Sequence, residues 1–305
     1  KTDDFHHRRR WYVLANLTLD QLRVLVAIQE AGSFSAAGRA LGRVQSAISQ
    51  TVKAVEDAHG VELFDRRTRK PALTPVGEVL LEQARTVLAS AERFSAIAAG
   101  TRKGLEPALS LAIDPLFPTA PVLDSLRALQ ERFPDLPVSF STEGVNGAER
   151  RLRDGTASLA FCPLLPFVPD DLTVYPITEL RLRPVVAPSH RLARLRRKPS
   201  RADLEAEVQL VLASSPAGEG PSYGVVSTRI WRCVDLGRRL DFLLGGFGWC
   251  KMPDHVVAPY LADGRLVELT VADEQVVPNR PLPVYAAHVR DKPLGLGGRW
   301  LLDDL

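Results

Sequence analysis

Five polar side chains on one short segment could read the edges of base pairs. Residues 45–57 read QSAISQTVKAVED, and their apolar residues recur at helical spacing. The side chains predicted on the inward face are Ala47, Ile48, Val52 and Val55. Those predicted on the opposite face are Gln45, Ser46, Ser49, Gln50 and Lys53. A Gln amide can pair with adenine in the major groove, a Ser hydroxyl can bond a base or a phosphate, and a Lys ammonium can neutralise a phosphate. A solvated helix face would show the same pattern, so this face alone leaves both interpretations open.

A cluster of cations follows this segment. Residues 61–74 read VELFDRRTRKPALT, in which two short apolar runs flank a basic stretch. The pattern predicts a small hairpin with a basic tip, a wing. The cations at its tip are Arg66, Arg67, Arg69 and Lys70. Contacts of such cations with phosphates supply affinity but little sequence information.

Two preceding helices are predicted to position these groups. Residues 19–29 form the first, with a stripe of Leu19, Leu22, Val26 and Ile28. Residues 33–41 form a short Ala-rich helix that Ser33 caps and Gly42 ends. This short helix, a tight turn and the helix at 45–57 are typical of a helix-turn-helix. We also assign Ser33, Ser35 and Arg43 to the DNA contact.

Residues 19–77 resemble the DNA-binding domain of LysR-type transcriptional regulators. The matching segments are LDQLRVLVAIQEAGSFSAAGRAL, QSAIS, VKAVE and LFDRRTRKPALTPVG, at the family's spacing. The family usually has Ser or Thr at the position of Val44, where it caps the recognition helix. Gln45 or Ser46 is therefore the expected cap here. The resemblance implies a sequence-specific DNA-binding regulator.

The segment 76–103 has apolar residues in a heptad pattern, and Pro75 and Thr74 mark the helix start. This pattern predicts a dimer seam formed by two series of residues: Leu80, Val87 and Phe94, and Ala84, Ala91 and Ala98. An amphipathic helix lying on its own domain is the alternative. In the resembled family this segment is a linker helix that dimerises. The resemblance thus implies a homodimer or tetramer on a near-palindromic operator, with RNA polymerase as a further partner.

The remainder of the chain alternates β-like apolar runs with helical patterns. This alternation predicts an α/β fold, a mostly parallel sheet with helices on both faces. The order and length resemble the family's regulatory domain, which has two periplasmic-binding-protein-like lobes and a small-molecule effector between them. The full prediction has four parts: a disordered N-terminal extension at 1–16, a winged helix-turn-helix at 17–75, a linker helix at 76–103 and a regulatory domain at 104–305. Within the regulatory domain, lobe I comprises residues 108–181 and 290–305, and lobe II comprises residues 182–289.

Ligands of open α/β sheets bind at the carboxyl ends of the strands. This rule selects the following residues for the effector site: Asp114, Phe117, Thr142, Glu143, Cys162, Ser214, Ser215, Phe247, Gly248 and Trp249. The two Ser hydroxyls could donate to a polar or anionic group, and the aromatic rings could line an apolar part. The carboxylates would oppose a simple carboxylate effector unless an Arg compensated, so the effector's charge stays open.

Charge and composition narrow the class of protein. The net charge of the 305 residues is only +3, but residues 1–104 carry +5 and the remainder −2, which favours a polyanion partner for the front end. Arg8, Arg9 and Arg10 contribute part of that excess from a tail. Three cysteines are too few for a disulfide framework and fit a reducing cytoplasm. The apolar run at 242–250 is too short to cross a bilayer, and no secretory signal is evident.

An enzyme is the less favoured class. The sequence lacks a Walker A loop, a GxSxG elbow, an HExxH motif and a CxxC pair. The His residues lack metal-ligand spacing, and we expect neither a cofactor nor a metal. Cys162 would need a partner side chain to act as a nucleophile or a redox sensor. The alternative function is a small-molecule binding protein or enzyme with a degenerate helix-turn-helix; the intact polar face and basic wing favour a regulator.

Overall fold

The computed structural model describes residues 17–65, 72–142, 144–214, 223–272 and 280–305. They belong to two compact units, one ending at Ala99 and one beginning at Gly100. None of the helices in these ranges combines the length and the apolar character that a membrane crossing requires.

Three helices form the centre of the first unit. They are α1 (Leu19–Ala31), α2 (Phe34–Ala40) and α3 (Gln45–His59). Thr18 and Gln21 form a capping box at the start of α1, because each side chain bonds the other residue's backbone N–H. The α1 helix ends at Gly32, whose φ of 71° lies in the left-handed region that favours glycine. Local sequence therefore sets both ends of α1.

The core of this unit is formed by one face of each helix. Its largest buried members are Leu22, Leu25, Ile28, Ile48, Val52, Val55, Leu63 and Phe64. Of the predicted stripe of α1, Leu22, Val26 and Ile28 pack in or against the core, whereas Leu19 is 40% exposed. Val24 and Leu25, at 0% and 4% exposure, are also buried in this core.

The turn between α2 and α3 needs a close backbone approach. A Cβ on Gly38 would lie 2.6 Å from the Arg43 carbonyl oxygen, and the Arg43 N–H donates to the Gly38 oxygen over 2.7 Å. The α3 helix begins at Gln45 with Val44 at its N-cap, and no side chain caps it. The expectation that Gln45 or Ser46 supplies the cap was wrong, because both lie inside the helix.

A two-stranded wing follows α3. Strands β1 (Phe64–Asp65) and β2 (Ala72–Leu73) pair antiparallel, with Phe64 opposite Leu73. The buried Glu56 carboxylate accepts hydrogen bonds from the backbone N–H groups of Leu63 and Phe64, which fixes the start of the wing to α3. The predicted tip, with Arg66, Arg67, Arg69 and Lys70, lies outside the described residues.

The linker helix α4 (Pro75–Arg102) presents two apolar faces. Leu81 and Ala84 are buried, 4% and 2% exposed, in the core of the first unit. The assignment of Ala84 to the dimer seam was therefore wrong, because its methyl group packs against the helix-turn-helix of its own chain. Leu80, Val87 and Phe94 lie outside this core and are 36%, 45% and 76% exposed.

The second unit begins with a mixed sheet. Its strands are β3 (Leu109–Ile113), β4 (Val138–Thr142), β5 (Leu159–Pro163), β6 (Leu172–Leu180) and β12 (Leu282–Val289). Their order is β4-β3-β5-β12-β6. β3 pairs parallel with β4 and β5, and β12 runs antiparallel to β5 and β6. The helices of this lobe are a short 3₁₀ turn (Ala120–Val122), α5 (Leu123–Arg132), α6 (Gly147–Asp154) and α10 (Leu296–Asp304).

A second lobe is inserted between β6 and β12. Its strands are β7 (Leu182–Val186), β8 (Val208–Leu212), β9 (Arg229–Cys233), β10 (Cys250–Pro253) and β11 (Val267–Glu268). β8 pairs parallel with β9, while β7 pairs antiparallel with β10 and β11. Its helices are a 3₁₀ turn (Arg191–Arg194), α7 (Arg201–Glu205), α8 (Leu236–Leu244) and α9 (Asp254–Ala262).

Side-chain alternation along the strands divides the first lobe into two cores. On β5, Leu159 and Phe161 pack with α5 and α10, whereas Ala160 and Cys162 pack with Ala148 and Leu152 of α6. Helices thus pack against both faces of the sheet around β5.

One lobe boundary and one strand differ from the prediction. Strand β12 was assigned to the second lobe, but it lies in the first sheet between β5 and β6. Strand β6 was missed altogether. It contains Pro176, which an edge strand tolerates because one side of such a strand needs no ladder hydrogen bonds.

Candidate nucleic-acid interface and ligand cavity

The polar face of α3 lies open to solvent. Its exposed side chains are Gln45, Ser46, Ser49, Gln50 and Lys53. Ile48 and Val52, at 0% and 1% exposure, anchor the opposite face in the core. The helix is therefore rigidly held while its amide, hydroxyl and ammonium groups remain available to a partner.

The other predicted DNA contacts have partners within the unit. The Ser33 hydroxyl caps α2 by accepting the Ala36 N–H at 3.1 Å, and the Ser35 hydroxyl accepts from Arg39 at 3.1 Å. Arg43 forms two hydrogen bonds of 2.7 Å with the Asp20 carboxylate. This ion pair lowers the pKa of Asp20 and offsets the positive charge of Arg43.

The second unit encloses a cavity of about 310 Å³ between its two lobes. Its apolar lining is aliphatic and consists of Leu116, Val145, Leu165, Leu182, Val211, Leu212 and Leu282, with Pro163. The charged side chains of the described lining are Asp114, Arg239, Lys251 and Arg280. A small ligand with an apolar body and polar ends suits such a site.

Asp114 forms the first-lobe side of this cavity. It follows β3, is 5% exposed, and its carboxylate accepts a hydrogen bond of 2.9 Å from the Leu116 N–H. Burial raises the pKa of Asp114 to about 6, against the smaller opposing effect of that hydrogen bond. The carboxyl is thus mainly ionised at neutral pH, at a cost in free energy.

Arg239 and Lys251 form the second-lobe side. Arg239 is 6% exposed, and its Nε and Nη2 atoms donate to the Leu210 carbonyl oxygen over 3.0 and 2.8 Å. The Lys251 side chain is partly buried, which lowers its pKa. Both cations are therefore partly or largely shielded from water at the cavity wall.

Hydrogen bonds cross the cleft beside these charges. The Tyr223 hydroxyl donates to the Leu165 carbonyl oxygen over 2.9 Å and accepts from Asn146 at 3.4 Å. Asn146 has a left-handed φ of 61° just before α6. The Gln209 side-chain amide donates to the Gly224 carbonyl oxygen and accepts from the N–H groups of Val226 and Ser227 in the second lobe. Gln209 therefore shapes the wall, while Tyr223 connects the two lobes.

Three residues predicted in the effector site are buried in the core instead. Phe117 is 4% exposed and stacks on Phe161 with ring centroids 5.3 Å apart. Cys162 packs against α6 at 2% exposure. Trp249 is fully buried, and its indole N–H donates to the Leu204 oxygen and the Ser227 hydroxyl at 3.2 and 3.1 Å. The strand-end rule does not determine which face of the sheet a side chain occupies.

The other residues predicted in the effector site either do not line the cavity or lie outside the described residues. Phe247 is 53% exposed and packs with Trp231 and Phe242 in an aromatic cluster that does not contribute to the cavity lining. Gly248 lies so close to β8 that a Cβ would approach the Val208 oxygen to 2.4 Å. Thr142 is the last residue of β4, and Ser214 follows β8. Neither residue lines the described cavity. Glu143 and Ser215 lie outside the described residues.

Sequence reasoning missed Arg239, Lys251, Asn146, Tyr223 and Arg280. One signal could have found the first of these. The spacing of Leu236, Leu240 and Leu243 places Arg239 on the apolar stripe of α8, where a cation needs a special reason. The other residues come from separate strands and loops whose convergence depends on the tertiary fold.

The three cysteines lie in buried positions. All three thiols are buried and free, and burial raises the pKa of Cys162, Cys233 and Cys250. A protonated, buried thiol is a poor nucleophile. Within the described ranges, no group of three His, Cys, Asp or Glu side chains is arranged to hold a metal ion.

Comparisons with known proteins agree with this two-part architecture. The family described as "Bacterial regulatory helix-turn-helix protein, lysR family" matches residues 19–78, and that described as "LysR substrate binding domain" matches residues 102–305. The probable HTH-type transcriptional regulator YhaJ of Escherichia coli K12 is 31% identical over 263 residues, 82% of this chain and 85% of the relative. The HTH-type transcriptional regulator AceR of Acinetobacter baumannii is 28% identical over 94% of this chain and 96% of its own. The structure of a hydrogen peroxide-bound mutant of OxyR from Corynebacterium glutamicum has a TM-score of 0.53 and 23% identity, and it covers 93% of this chain and 92% of its own.

A helix-turn-helix followed by an effector-binding domain defines a DNA-binding transcriptional regulator rather than an enzyme. The chain belongs to the LysR family of transcriptional regulators.

Proposed function

We propose that this regulator, as a homodimer or tetramer in the cytoplasm, binds a near-palindromic operator through α3 and the wing. A small molecule in the cavity between the two lobes modulates that binding, and RNA polymerase is a further partner. The observation that carries the proposal is the exposed, rigidly backed polar face of α3.

The chemistry of this face supports base reading. Gln45 and Gln50 each offer an amide that can form paired hydrogen bonds with adenine, and both side chains are exposed. Between Val44 and Lys53 the helix carries no carboxylate that would repel phosphates. Ser46, Ser49 and Lys53 would supplement the amides with base-edge or phosphate contacts. The four cations at 66–70 would add affinity on any sequence, and Ser33, Ser35 and Arg43 would make weaker contacts because they already have partners.

The exposed stripe of α4 supports oligomerisation. Leu80, Val87 and Phe94 recur every seven residues, and Ala91 and Ala98 lie on the same side. Large side chains rarely lie in such an exposed row unless a partner covers them. A second copy of α4 would cover the row and would present two α3 helices to two half-sites.

The charged cavity supports control by a small molecule rather than by a reactive cysteine. Its size suits a small organic ligand, and Asp114, Arg239 and Lys251 provide polar anchors. The buried, protonated thiols favour reversible binding over thiol oxidation.

Selection from a random pool of duplex DNA by the full chain tests the DNA-binding part of the proposal. We expect enrichment of an inverted repeat with half-sites one helical turn, or a multiple of one turn, apart. Enrichment of an unpaired site would contradict the dimeric arrangement. No enrichment over the starting pool would contradict specific DNA binding altogether.

A further inference from the structure

We infer that the effector is a small organic carboxylate with an aliphatic or similarly apolar middle and a hydrogen-bond donor at its opposite end. Arg239 and Lys251 would receive the carboxylate, and Asp114 would accept the hydrogen bond from the donor. The inference rests on the proposed function, because it assigns a chemical class to the ligand of the same cavity.

Arg239 carries the anionic part of the inference. Its guanidinium is charged at every physiological pH, yet the residue is only 6% exposed. The Leu210 oxygen accepts two of its N–H groups, and no carboxylate forms an ion pair with it in the described part of the chain. A buried charge usually has an opposite charge beside it, because leaving water is costly. Since Arg239 lines the cavity, a ligand anion can supply that partner.

Lys251 and Arg280 strengthen this assignment. Both line the same cavity, and with Arg239 they outnumber the one carboxylate of the described lining, Asp114. Lys251 extends from β10 of the same lobe as Arg239. In the described lining, the second lobe thus contributes the cations Arg239 and Lys251, and the first lobe contributes the carboxyl group of Asp114.

Asp114 carries the donor part. Its carboxylate receives one hydrogen bond, from the Leu116 N–H, among the described residues. An ionised carboxylate can accept several more, and burial deprives Asp114 of water that would otherwise donate them. A ligand hydroxyl or ammonium group that points to the first lobe would satisfy this acceptor.

The apolar lining separates the two charged walls. Leu116 and Val145 belong to the first lobe, and Val211 and Leu212 to the second. A ligand with polar groups only would place some of them against these apolar side chains, where they would lose hydrogen bonds to water without forming new ones. A chain or ring between the carboxylate and the donor would bury them.

Binding of flexible probes to the full chain tests the assignment. The probes are three matched series: straight-chain alkanoates from butanoate to octanoate, the same carboxylates with a terminal hydroxyl, and the terminal-hydroxyl alkanamides. Flexible chains adapt to the shape of the cavity, and calorimetry gives each dissociation constant. We expect the hydroxyalkanoate of fitting length to bind most tightly, the plain alkanoate more weakly, and the neutral amide at least about tenfold more weakly than its carboxylate.

Three variants locate the contacts. Lys251→Gln and Arg239→Lys should each weaken carboxylate binding about tenfold, and the Lys variant keeps a cation in case loss of the buried charge impairs folding. Asp114→Asn should reduce the advantage of the terminal hydroxyl and improve the binding of plain alkanoates, because a like charge has been removed. Arg238→Gln is the matched control, since Arg238 is exposed on the same helix and pairs with Asp241 at 3.4 Å. It should leave all constants unchanged.

Two results would overturn the inference: amides that bind as tightly as carboxylates, or no binding by any carboxylate at millimolar concentration. Neither result would contradict the proposal that the protein binds DNA. Conversely, carboxylates that bind with the expected variant effects but leave operator affinity unchanged would support the assignment and contradict the proposed coupling to DNA.

Discussion

The polar face of α3 and the charged cavity of the second unit differ in how far their polar groups are exposed to water. The α3 face exposes Gln45 and Gln50 over a tightly packed core, so its polar groups remain in water until a partner arrives. The cavity buries Asp114 and Arg239 at 5% and 6% exposure, and among the described residues neither forms an ion pair. An exposed functional group costs the fold almost nothing, whereas a buried charge lowers the stability of the free protein.

This difference gives a simple expectation for variants. Removing groups from the exposed surfaces of the first unit should weaken binding and leave the free energy of unfolding unchanged. Removing a buried charge from the cavity should alter both.

The largest effect is expected at the exposed apolar stripe of α4. Leu80→Glu combined with Val87→Glu places two like charges on each helix of the proposed dimer, so we expect monomers in sedimentation. Operator affinity should fall at least about a hundredfold, because each half-site is then bound independently. The melting temperature of the monomer should show little loss from the substitutions themselves, since both side chains lie outside the core.

Val79→Glu is the control for the stripe. Val79 is 62% exposed on the same helix but does not belong to the heptad series. This variant should remain a dimer. Dimers that persist in the double variant would place the interface elsewhere.

An intermediate effect is expected at Asp114. Its pKa, raised by burial from 3.8 to about 6, corresponds to about 3 kcal/mol in favour of the protonated form. Because the folded state binds this proton more tightly than the unfolded state, the ionised carboxylate destabilises the protein above about pH 6, and the penalty disappears as the pH falls to about 4. Asp114→Asn should therefore raise the free energy of unfolding by about 1–3 kcal/mol at pH 7.5 and by less at pH 5.

Denaturant unfolding of the full chain at both pH values measures this effect. Asp124→Asn serves as the comparison, because Asp124 is exposed and pairs with Arg127 on the surface. Its substitution should change stability by less than about 1 kcal/mol. A stability gain at Asp114 that did not depend on pH would rule out the buried charge as its cause.

The contrast also explains what the sequence could predict. The helices of the first unit and their inward faces depend on local periodicity and caps, and the residues of the exposed polar face of α3 are neighbours in sequence. The predictions of α3 at 45–57 and of the linker helix at 76–103 therefore agree with the structure within a few residues. The seam residue Ala84 failed because a heptad pattern does not distinguish contact with a second copy from contact with the chain's own core.

The cavity could be predicted only in outline. Asp114 was found because it directly follows a strand, but Phe117, Cys162 and Trp249 were assigned wrongly. Each lies near a strand end with its side chain directed into a core, a choice that depends on the register of the sheet. Arg239, Lys251 and Tyr223 come together only through the tertiary fold, and no local pattern connects them.

Gln45→Ala tests the central claim, that the exposed face of α3 reads bases, most directly. The affinity of wild type and variant is measured on the selected operator and on random duplex at the same salt concentration. Our account predicts a loss of about 1–3 kcal/mol on the operator, little change on random DNA, and an unchanged melting temperature. An equal loss on both duplexes, or no loss on either, would contradict base reading by this face.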